Sequence, residues 1–437
     1  MKVKLAKASD LCFLIIVIFA FFFPTFSNSL GSSGAILVNG GLIVLCFLAL
    51  FAFNNGFFFG FFKFYRLPRL YILSLLAFLV LFPVSVTVGI IFNDVDIDFR
   101  DFFELHRPVL YFFQFCFFYC YFDFSVKTQG LDKTLRKIEI TLVIVFTLVC
   151  FMAFVQFLKL DRSFLPYYTK MHNITSGRSS APFTNPYDLS VFISFFCFYF
   201  LMKALFENKL NIFLFFISTI VLLFTQSKTG IVIVFFGVFI ISPLCVFTSM
   251  LYSGFSRKKF KVLIFYFLAT FLSVAIFFIN LDYIVENFRY LYVSFINVVE
   301  GNKVNSFSLR QIQVENAIDF ANNSFFVTLF GNGPAKNEME YVESSYTYYF
   351  FRYGILGLIL YFIVPLLLAI SASISNAIKQ FRPFYIAVSI WLIILPVASG
   401  GNNFTDQVRL STLYILLLAF TYFSYSYFTS KSYRYLD

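Results

Sequence analysis

The chain alternates between long apolar runs and short polar segments along almost its whole length. A helix needs about 20 apolar residues to cross the hydrocarbon core of a bilayer. The pattern predicts twelve membrane-spanning helices, at about 11–29, 33–53, 69–92, 108–125, 138–158, 187–206, 209–225, 229–250, 261–281, 345–370, 383–399 and 408–429. The apolar stretch 56–64 is too short to span a bilayer, so it either extends the second helix or lies at the interface.

Two polar segments are much longer than the rest, at 159–186 and 282–344. We interpret 1–437 as a single membrane domain with these segments as its two large loops. Residues 281–299 alternate apolar and polar side chains at roughly helical spacing, which is typical of a helix lying flat on a bilayer. Further along, Ser308 to Gln311 resembles a capping box, which predicts that Arg310 lies in the first turn of a helix.

Composition excludes a soluble protein. Hydrophobic residues make up 60% of the 437 residues and charged residues 13%, whereas a soluble domain carries about a quarter charged residues. The seven cysteines all fall in apolar runs, and no Cys/His spacing matches a metal site, so we expect neither disulfides nor a metal or other cofactor. The sequence also lacks a Gly-rich phosphate loop of the P-loop kind, which argues against ATP-driven transport by this chain alone.

The distribution of Lys and Arg predicts the orientation. If the N-terminus is cytoplasmic, the inner segments hold 20 of the 33 basic residues and the outer segments hold 16 of the 22 acidic ones. Every inner segment is then basic, as the positive-inside rule requires. We expect cytoplasmic N- and C-termini in a bacterial inner membrane, with both large loops outside. The net charge of +11 then needs no nucleic-acid partner.

Several motifs in and beside the outer loops occur in a distinctive order. They are Arg178 followed by Pro182-Phe-Thr-Asn-Pro186, then Gln226-Ser-Lys-Thr-Gly230, Leu329-Phe-Gly-Asn-Gly333, Glu343-Ser-Ser-Tyr346 and Arg352-Tyr-Gly-Ile-Leu-Gly357. With these motifs, residues 170–370 resemble the bacterial O-antigen polymerase and O-antigen ligase superfamily, and the twelve-span pattern extends the resemblance to the whole chain.

The resemblance implies an all-α membrane glycosyltransferase fold of the GT-C type. It also implies an undecaprenyl-diphosphate-linked oligosaccharide as donor and a second one as acceptor, without nucleotide sugar or metal. The essential outer-loop arginines of the family fall on Arg178 and Arg310. Ligases of the family carry a histidine where this chain has Glu343-Ser344, which favours a Wzy-type polymerase; a ligase that transfers glycan to lipid A core stays the alternative. A chain-length regulator protein is a further partner that the resemblance implies.

The residue types suit this chemistry. Arginine has a planar, permanently charged fork that matches phosphate oxygens, so Arg178 and Arg310 are candidate clamps for the diphosphate leaving group. Glu343, at a predicted helix start, is our candidate base for the acceptor hydroxyl, with His172 as its rival. Each arginine could instead contact lipid phosphates or a nearby acid. Glu343 could simply occupy a favourable position for an acid at a helix N-terminus, and His172 could be a solvent-exposed residue without a role.

Six further residues are candidate substrate contacts, in addition to His172. They are Arg352, Asn185, Tyr187, Lys228, Tyr346 and Arg409. Arg352 lies about two turns inside a span, where a charge is costly and usually functional, and we expect it to reach the diphosphate or an acid such as Glu343. For the tyrosines the alternative is the aromatic belt of a membrane interface.

Two other classes of protein remain open. A polysaccharide flippase or other secondary transporter usually carries ionisable groups in mid-span and internal repeats, whereas the spans here are nearly free of charge and show no convincing repeat. A structural membrane protein without activity is the other alternative.

Overall fold

The structure is a computed structural model that describes residues 2–53, 66–268 and 305–434, apart from single residues 27, 31, 161, 162, 176, 255, 258, 259 and 266. All regular secondary structure in these ranges is helical. The predictions for 56–64, for 281–299 and for most of the span 261–281 lie outside the described residues.

The first half of the chain forms a series of long helices. The helices are α1 Lys2–Phe22, α2 Ser32–Phe53, α3 Arg66–Asn93, α4 His106–Gln129, α5 Leu131–Phe157, α6 Pro186–Phe206 and α7 Asn211–Thr225. The short helix Phe99–Phe102 and the 3-10 turn Phe103–Leu105 lead into α4, and the 3-10 turn Leu165–Tyr167 and the helix Met171–Thr175 lie between α5 and α6. Helix α8 begins at Lys228 and consists of Lys228–Phe236, the π-helical turn Gly237–Ile241 and Ser242–Ser253.

The second half begins with two helices of the long loop, α9 Asn305–Asn322 and α10 Phe325–Phe330. Helix α11 follows as Ser345–Gly357, a π-helical turn Leu358–Ile363 and Val364–Lys379. Helix α12 covers Pro383–Gly401, the 3-10 turn Phe404–Asp406 follows, and α13 covers Val408–Arg434. Because α9 already includes Asn305, Arg310 lies in at least the second turn, and the prediction of a first-turn arginine capped by Ser308 was wrong.

Nine helices in the described part of the chain are long and apolar enough to cross a membrane, which confirms an all-helical membrane-protein character. They correspond to α2 to α6, α8 and α11 to α13. Helix α1, Lys2–Phe22, overlaps the first predicted span, 11–29, but is not among these nine, and α7 is apolar but shorter than they are. The total of twelve spans and the GT-C type stay predictions.

The most buried helices are α13 and α6. In their most apolar windows 94% and 83% of residues are buried, against 33% for α2 and α3. Helix α12 packs against α6, where the indole of Trp391 donates a 3.1 Å hydrogen bond to the Val191 carbonyl. The centre of the bundle is therefore α6, α12 and α13, whereas α2 and α3 present apolar side chains outward, as lipid contact requires.

The glycine-rich turn after α10 docks on a break in α11. Gly331 has φ 77° and Gly354 has φ 62°, and both backbones adopt conformations that side chains disfavour. A methyl group at Gly331 would lie 2.5 Å from the carbonyl of Arg352, and one at Gly354 would lie 2.5 Å from that of Leu329. The Asn332 and Gly333 amides complete the junction by donating to the Phe351 and Arg352 carbonyls at 3.1 and 2.8 Å. Two of the motifs noted in the sequence therefore form one backbone-to-backbone junction, which fixes where α11 begins relative to the long loop.

Candidate functional site

Arg178 belongs to a short segment that is hydrogen-bonded to the C-terminal ends of α5 and α7. The side-chain oxygen of Gln156 accepts hydrogen bonds from the Ser180 and Ala181 amides, both at 2.8 Å, while its amide nitrogen donates to the Arg178 carbonyl at 2.8 Å. The Nε of Arg178 donates to the Thr225 carbonyl at 3.2 Å, at the C-terminus of α7. Arg178 is thus fixed at both its backbone and its guanidinium, which gives the side chain a defined direction.

Lys228 begins α8, next to that anchor. Ser227 caps this helix by accepting a 3.1 Å hydrogen bond from the Gly230 amide. The Ser227 hydroxyl oxygen also accepts a 3.0 Å hydrogen bond from the Ser190 hydroxyl of α6. Gly230 is required by this packing, because a methyl group there would lie 2.4 Å from the Ser190 Cβ. The motif Gln226-Ser-Lys-Thr-Gly230 therefore builds a helix N-terminus that packs tightly on α6 and presents Lys228.

Arg310 and Glu343 form an ion pair, with the arginine Nε 2.7 Å from the carboxylate. Their side chains are 21% and 17% exposed, so the pair is partly shielded but open to an approaching ligand. Arg310 also donates to the Gly401 carbonyl at 3.1 Å, at the end of α12. Gln313 fixes the other partner by accepting a 3.1 Å hydrogen bond from the Glu343 amide. The long loop and the start of α11 are joined here.

These elements meet at Gly401, where a methyl group would lie 3.0 Å from the Thr229 hydroxyl of α8 and 3.6 Å from the Arg310 guanidinium. Lys228 lies within electrostatic range of both Arg178 and Arg310. Lys228 thus links cations from three separate parts of the sequence, and one of them, Arg310, is paired with Glu343. Like charges brought together repel one another, so such a cluster is costly unless it binds an anion. The arrangement suits a ligand with several negatively charged oxygens.

The start of α6 provides the wall beside Arg178. The Arg178 guanidinium lies 5.2 Å from the centre of the Tyr187 ring, and Asn185 is the N-cap residue of the helix. Asp188 follows and is 1% exposed. One of its carboxylate oxygens accepts a 2.9 Å hydrogen bond from Asn402, and its other oxygen has no hydrogen-bond partner among the described residues. Asp188 is thus a buried carboxylate next to Tyr187.

Arg352 does not contact the Arg310–Glu343 pair and belongs to a separate network. Its guanidinium lies 3.2 Å from the Glu104 carboxylate, not at Glu343, and 4.4 Å from the centre of the Tyr348 ring. Glu104 also pairs with Arg107 at 2.6 Å and with Lys336 at 2.8 Å, and it accepts the Tyr348 hydroxyl at 2.8 Å. This buried network ties the long loop and α11 to the start of α4. Its evident role is to hold the loop that carries Glu343.

The remaining sequence candidates have separate surroundings. The Tyr346 hydroxyl donates to the Pro396 carbonyl at 2.9 Å. Arg409 is 3% exposed and donates to the Phe21 and Phe23 carbonyls at 2.7 and 2.8 Å, which anchors the end of α1. His172 is exposed on the short helix Met171–Thr175. In the structure Tyr346 and Arg409 make structural contacts, and their roles in substrate binding stay predictions.

Two carboxylates of this region were not singled out in the sequence. Glu104 belongs to a run of five acidic residues between 94 and 104, and nothing in the sequence separates it from the other four. Three of these are exposed in the structure, whereas Asp101 is buried like Glu104. Asp188 follows the Pro-Phe-Thr-Asn-Pro motif by two residues and occupies a common position for an acid in the first helical turn. Ion pairs with three cations distinguish Glu104, and burial distinguishes Asp188; only the fold reveals either property. Within the described ranges, no cluster of three or more His, Cys, Asp or Glu side chains is arranged to hold a metal ion.

Comparison of the chain with models of known protein families and with curated proteins found no match.

Proposed function

We propose that this protein polymerises undecaprenyl-diphosphate-linked oligosaccharide repeat units into O-antigen or a related surface polysaccharide, at the periplasmic face of a bacterial inner membrane. The observation that carries the proposal is the Arg310–Glu343 ion pair next to the start of α8, where Lys228 lies within electrostatic range of Arg178 and Arg310. The sequence motifs and the apolar helices support the family and the membrane setting, respectively.

The cation cluster supplies what glycosyl transfer from a lipid diphosphate needs. When the bond between the donor sugar and the diphosphate breaks, negative charge grows on the phosphate oxygens. Fixed cations aimed at that charge stabilise the transition state without having to reorganise. Arg178 is held by its backbone and by Thr225, and Arg310 by Gly401, so both guanidinium groups are oriented before substrate arrives.

The reaction requires one proton acceptor. The acceptor hydroxyl oxygen attacks the anomeric carbon of the donor, the carbon–oxygen bond to the diphosphate breaks, and undecaprenyl diphosphate leaves with the electron pair. The hydroxyl proton passes to a carboxylate, and Glu343 is the one at the cluster.

The histidines favour polymerase over ligase. Ligases of the resembling family carry a histidine close to Glu343-Ser344, and neither histidine of this chain lies at the ion pair. His106 contacts the Asn39 amide at 2.6 Å near the start of α4, and His172 is exposed. The carboxylate is therefore the better base at this cluster.

Complementation of a strain that lacks this gene tests the proposal. Surface glycan is resolved on a gel for cells expressing the wild type, Arg178→Ala, Arg310→Ala or Glu343→Ala at matched protein levels. We expect a ladder with the wild type and only the single-repeat band with the variants. A single-repeat band with the wild type contradicts polymerisation. Variants that leave no glycan on the core at all, where the wild type restores it, indicate a ligase. Ladders from all three variants would reject the site but not the function.

A further inference from the structure

A second site lies at the opposite end of α5 and α6. A cavity of about 460 Å³ opens between them and is closed at one side by Arg382, just before α12. Helix α6 runs from Asp188, beside the candidate site, to Lys203 in this cavity, a distance of about 22 Å at the rise of an α-helix. In the predicted orientation the cavity lies on the cytoplasmic side of the membrane.

One part of the cavity is apolar and faces outward. It is formed by the side chains of Ile140, Val143 and Ile144 on α5. Ile140 is 50% exposed and Ile144 is 41% exposed. Because α5 is long and apolar enough to span a membrane, exposed side chains in this part of it face lipid. The cavity is thus a groove open sideways to the bilayer.

The polar part of the groove is charged but balanced. It is lined by the cations Arg136, Lys203 and Arg382 and by the acids Asp132, Glu139 and Glu207. Two of the cations are already paired with those acids. Lys203 lies 3.6 Å from Glu139 and 4.0 Å from Glu207, and Arg382 lies 2.6 Å from Asp132.

Arg136 differs from the other two cations. Among the described residues, no carboxylate lies within 4.0 Å of its guanidinium, so its charge is available to a ligand. It sits one helical turn before Ile140, at the boundary between the polar and apolar parts. A phospholipid has the same layout, with a phosphate at the boundary between a polar head and acyl chains.

We infer that this groove binds a zwitterionic glycerophospholipid, with the phosphate on Arg136 and an acyl chain along Ile140, Val143 and Ile144. The acids of the groove accommodate the positively charged head, and they disfavour a lipid that lacks a positively charged head. Free phosphate lacks the apolar part that the outward-facing isoleucines require, so a membrane lipid is the source of the ligand.

Native mass spectrometry of the purified, delipidated full-length protein tests the inference, with phosphatidylethanolamine added in detergent. The variants are Arg136→Gln and, as a matched control, Lys133→Gln, which removes the same charge one turn earlier on α5 and outside the groove. A hydrogen bond to a charged group contributes about 1.5–3 kcal/mol, so loss of Arg136 weakens binding by at least about tenfold. We expect that loss in Arg136→Gln and less than about a twofold change in Lys133→Gln.

Three competitors decide the chemistry of the ligand. Diacylglycerol with the same chains has no phosphate, phosphatidylglycerol lacks the positive head, and inorganic phosphate lacks the chains. We expect none of them to displace bound phosphatidylethanolamine at equal concentration. Displacement by diacylglycerol would show that the phosphate contact with Arg136 is not needed for binding. Displacement by phosphatidylglycerol would show that the acids do not select the head, and displacement by phosphate would show a simple anion site. Equal retention of the lipid by Arg136→Gln and Lys133→Gln would overturn the inference outright.

Discussion

The buried network around Glu104 gives the sharpest test of how the long loop is held. The Glu104 side chain is 2% exposed and pairs with Arg107, Lys336 and Arg352, which come from three parts of the chain. In Glu104→Gln the shape is kept but the negative charge is lost, so the 3%-exposed Arg352 side chain is left beside two other cations. Removing one partner of a buried ion pair costs about 3–5 kcal/mol of folding free energy.

A matched control lies six residues earlier in the chain. Asp98 pairs with Arg100 at 3.2 Å, but these side chains are 50% and 51% exposed. An exposed pair contributes about 0.2–1 kcal/mol, because water screens the charges. Asp98→Asn therefore also replaces a carboxylate with an amide, but at an exposed position.

The assay is the thermal stability of the detergent-purified protein, followed by the loss of monodisperse protein in size-exclusion chromatography. We expect the fall in apparent melting temperature for Glu104→Gln to be at least about three times that for Asp98→Asn, in keeping with the ratio of the two energies. We also expect Glu104→Gln to reduce polymer length in cells, because the loop that carries Glu343 loosens. Equal shifts for the two variants would refute the assignment of Glu104 as the buried anchor of the loop.

Three further changes have defined outcomes. Arg310→Lys keeps the charge but loses the fork that contacts Glu343 and Gly401, so we expect polymer formation to fall by about 10²-fold; a rate within threefold of wild type would show that charge alone suffices. Gly354→Ala forces a side chain into the Leu329 backbone at positive φ, and we expect a loss of at least about 1–3 kcal/mol in unfolding experiments. Gly400→Ala, whose Cβ would meet nothing within 4 Å, is its neutral control, and comparable losses would argue against the junction. His172→Ala should leave the glycan ladder unchanged, because the His172 side chain is exposed. Loss of the ladder in this variant would instead favour His172 over Glu343 as the base.

Much of the helical plan was predictable from the sequence, because a run of about 20 apolar residues has one common outcome in a membrane. The helices α2, α6, α7 and α12 lie close to their predicted positions, whereas α5 begins well before its predicted start. The start of α9 was not predicted correctly. Ser308 has the residue type of a helix cap, but the helix already includes Asn305, so a local capping pattern did not determine the boundary.

The site was predictable only in part. The outer-loop motifs pointed to Arg178, Arg310 and Glu343, and the fold brings Lys228 to the same cluster. The partner of Arg352 could not be found in this way, since the nearest acid in sequence is Glu343 and the actual one is Glu104, more than two hundred residues away. Ion pairs between distant segments depend on helix packing, which hydrophobic periodicity does not encode.

The measurement that tests the central claim most directly uses purified protein in liposomes with undecaprenyl-diphosphate-linked repeat units from the parent strain. The account predicts a series of longer glycans, with one undecaprenyl diphosphate released for each new glycosidic bond. It also predicts that Arg310→Ala and Glu343→Ala abolish both products while the folded protein is retained. Wild-type protein that binds the lipid-linked repeat unit but releases no undecaprenyl diphosphate and forms no longer glycan would contradict the claim.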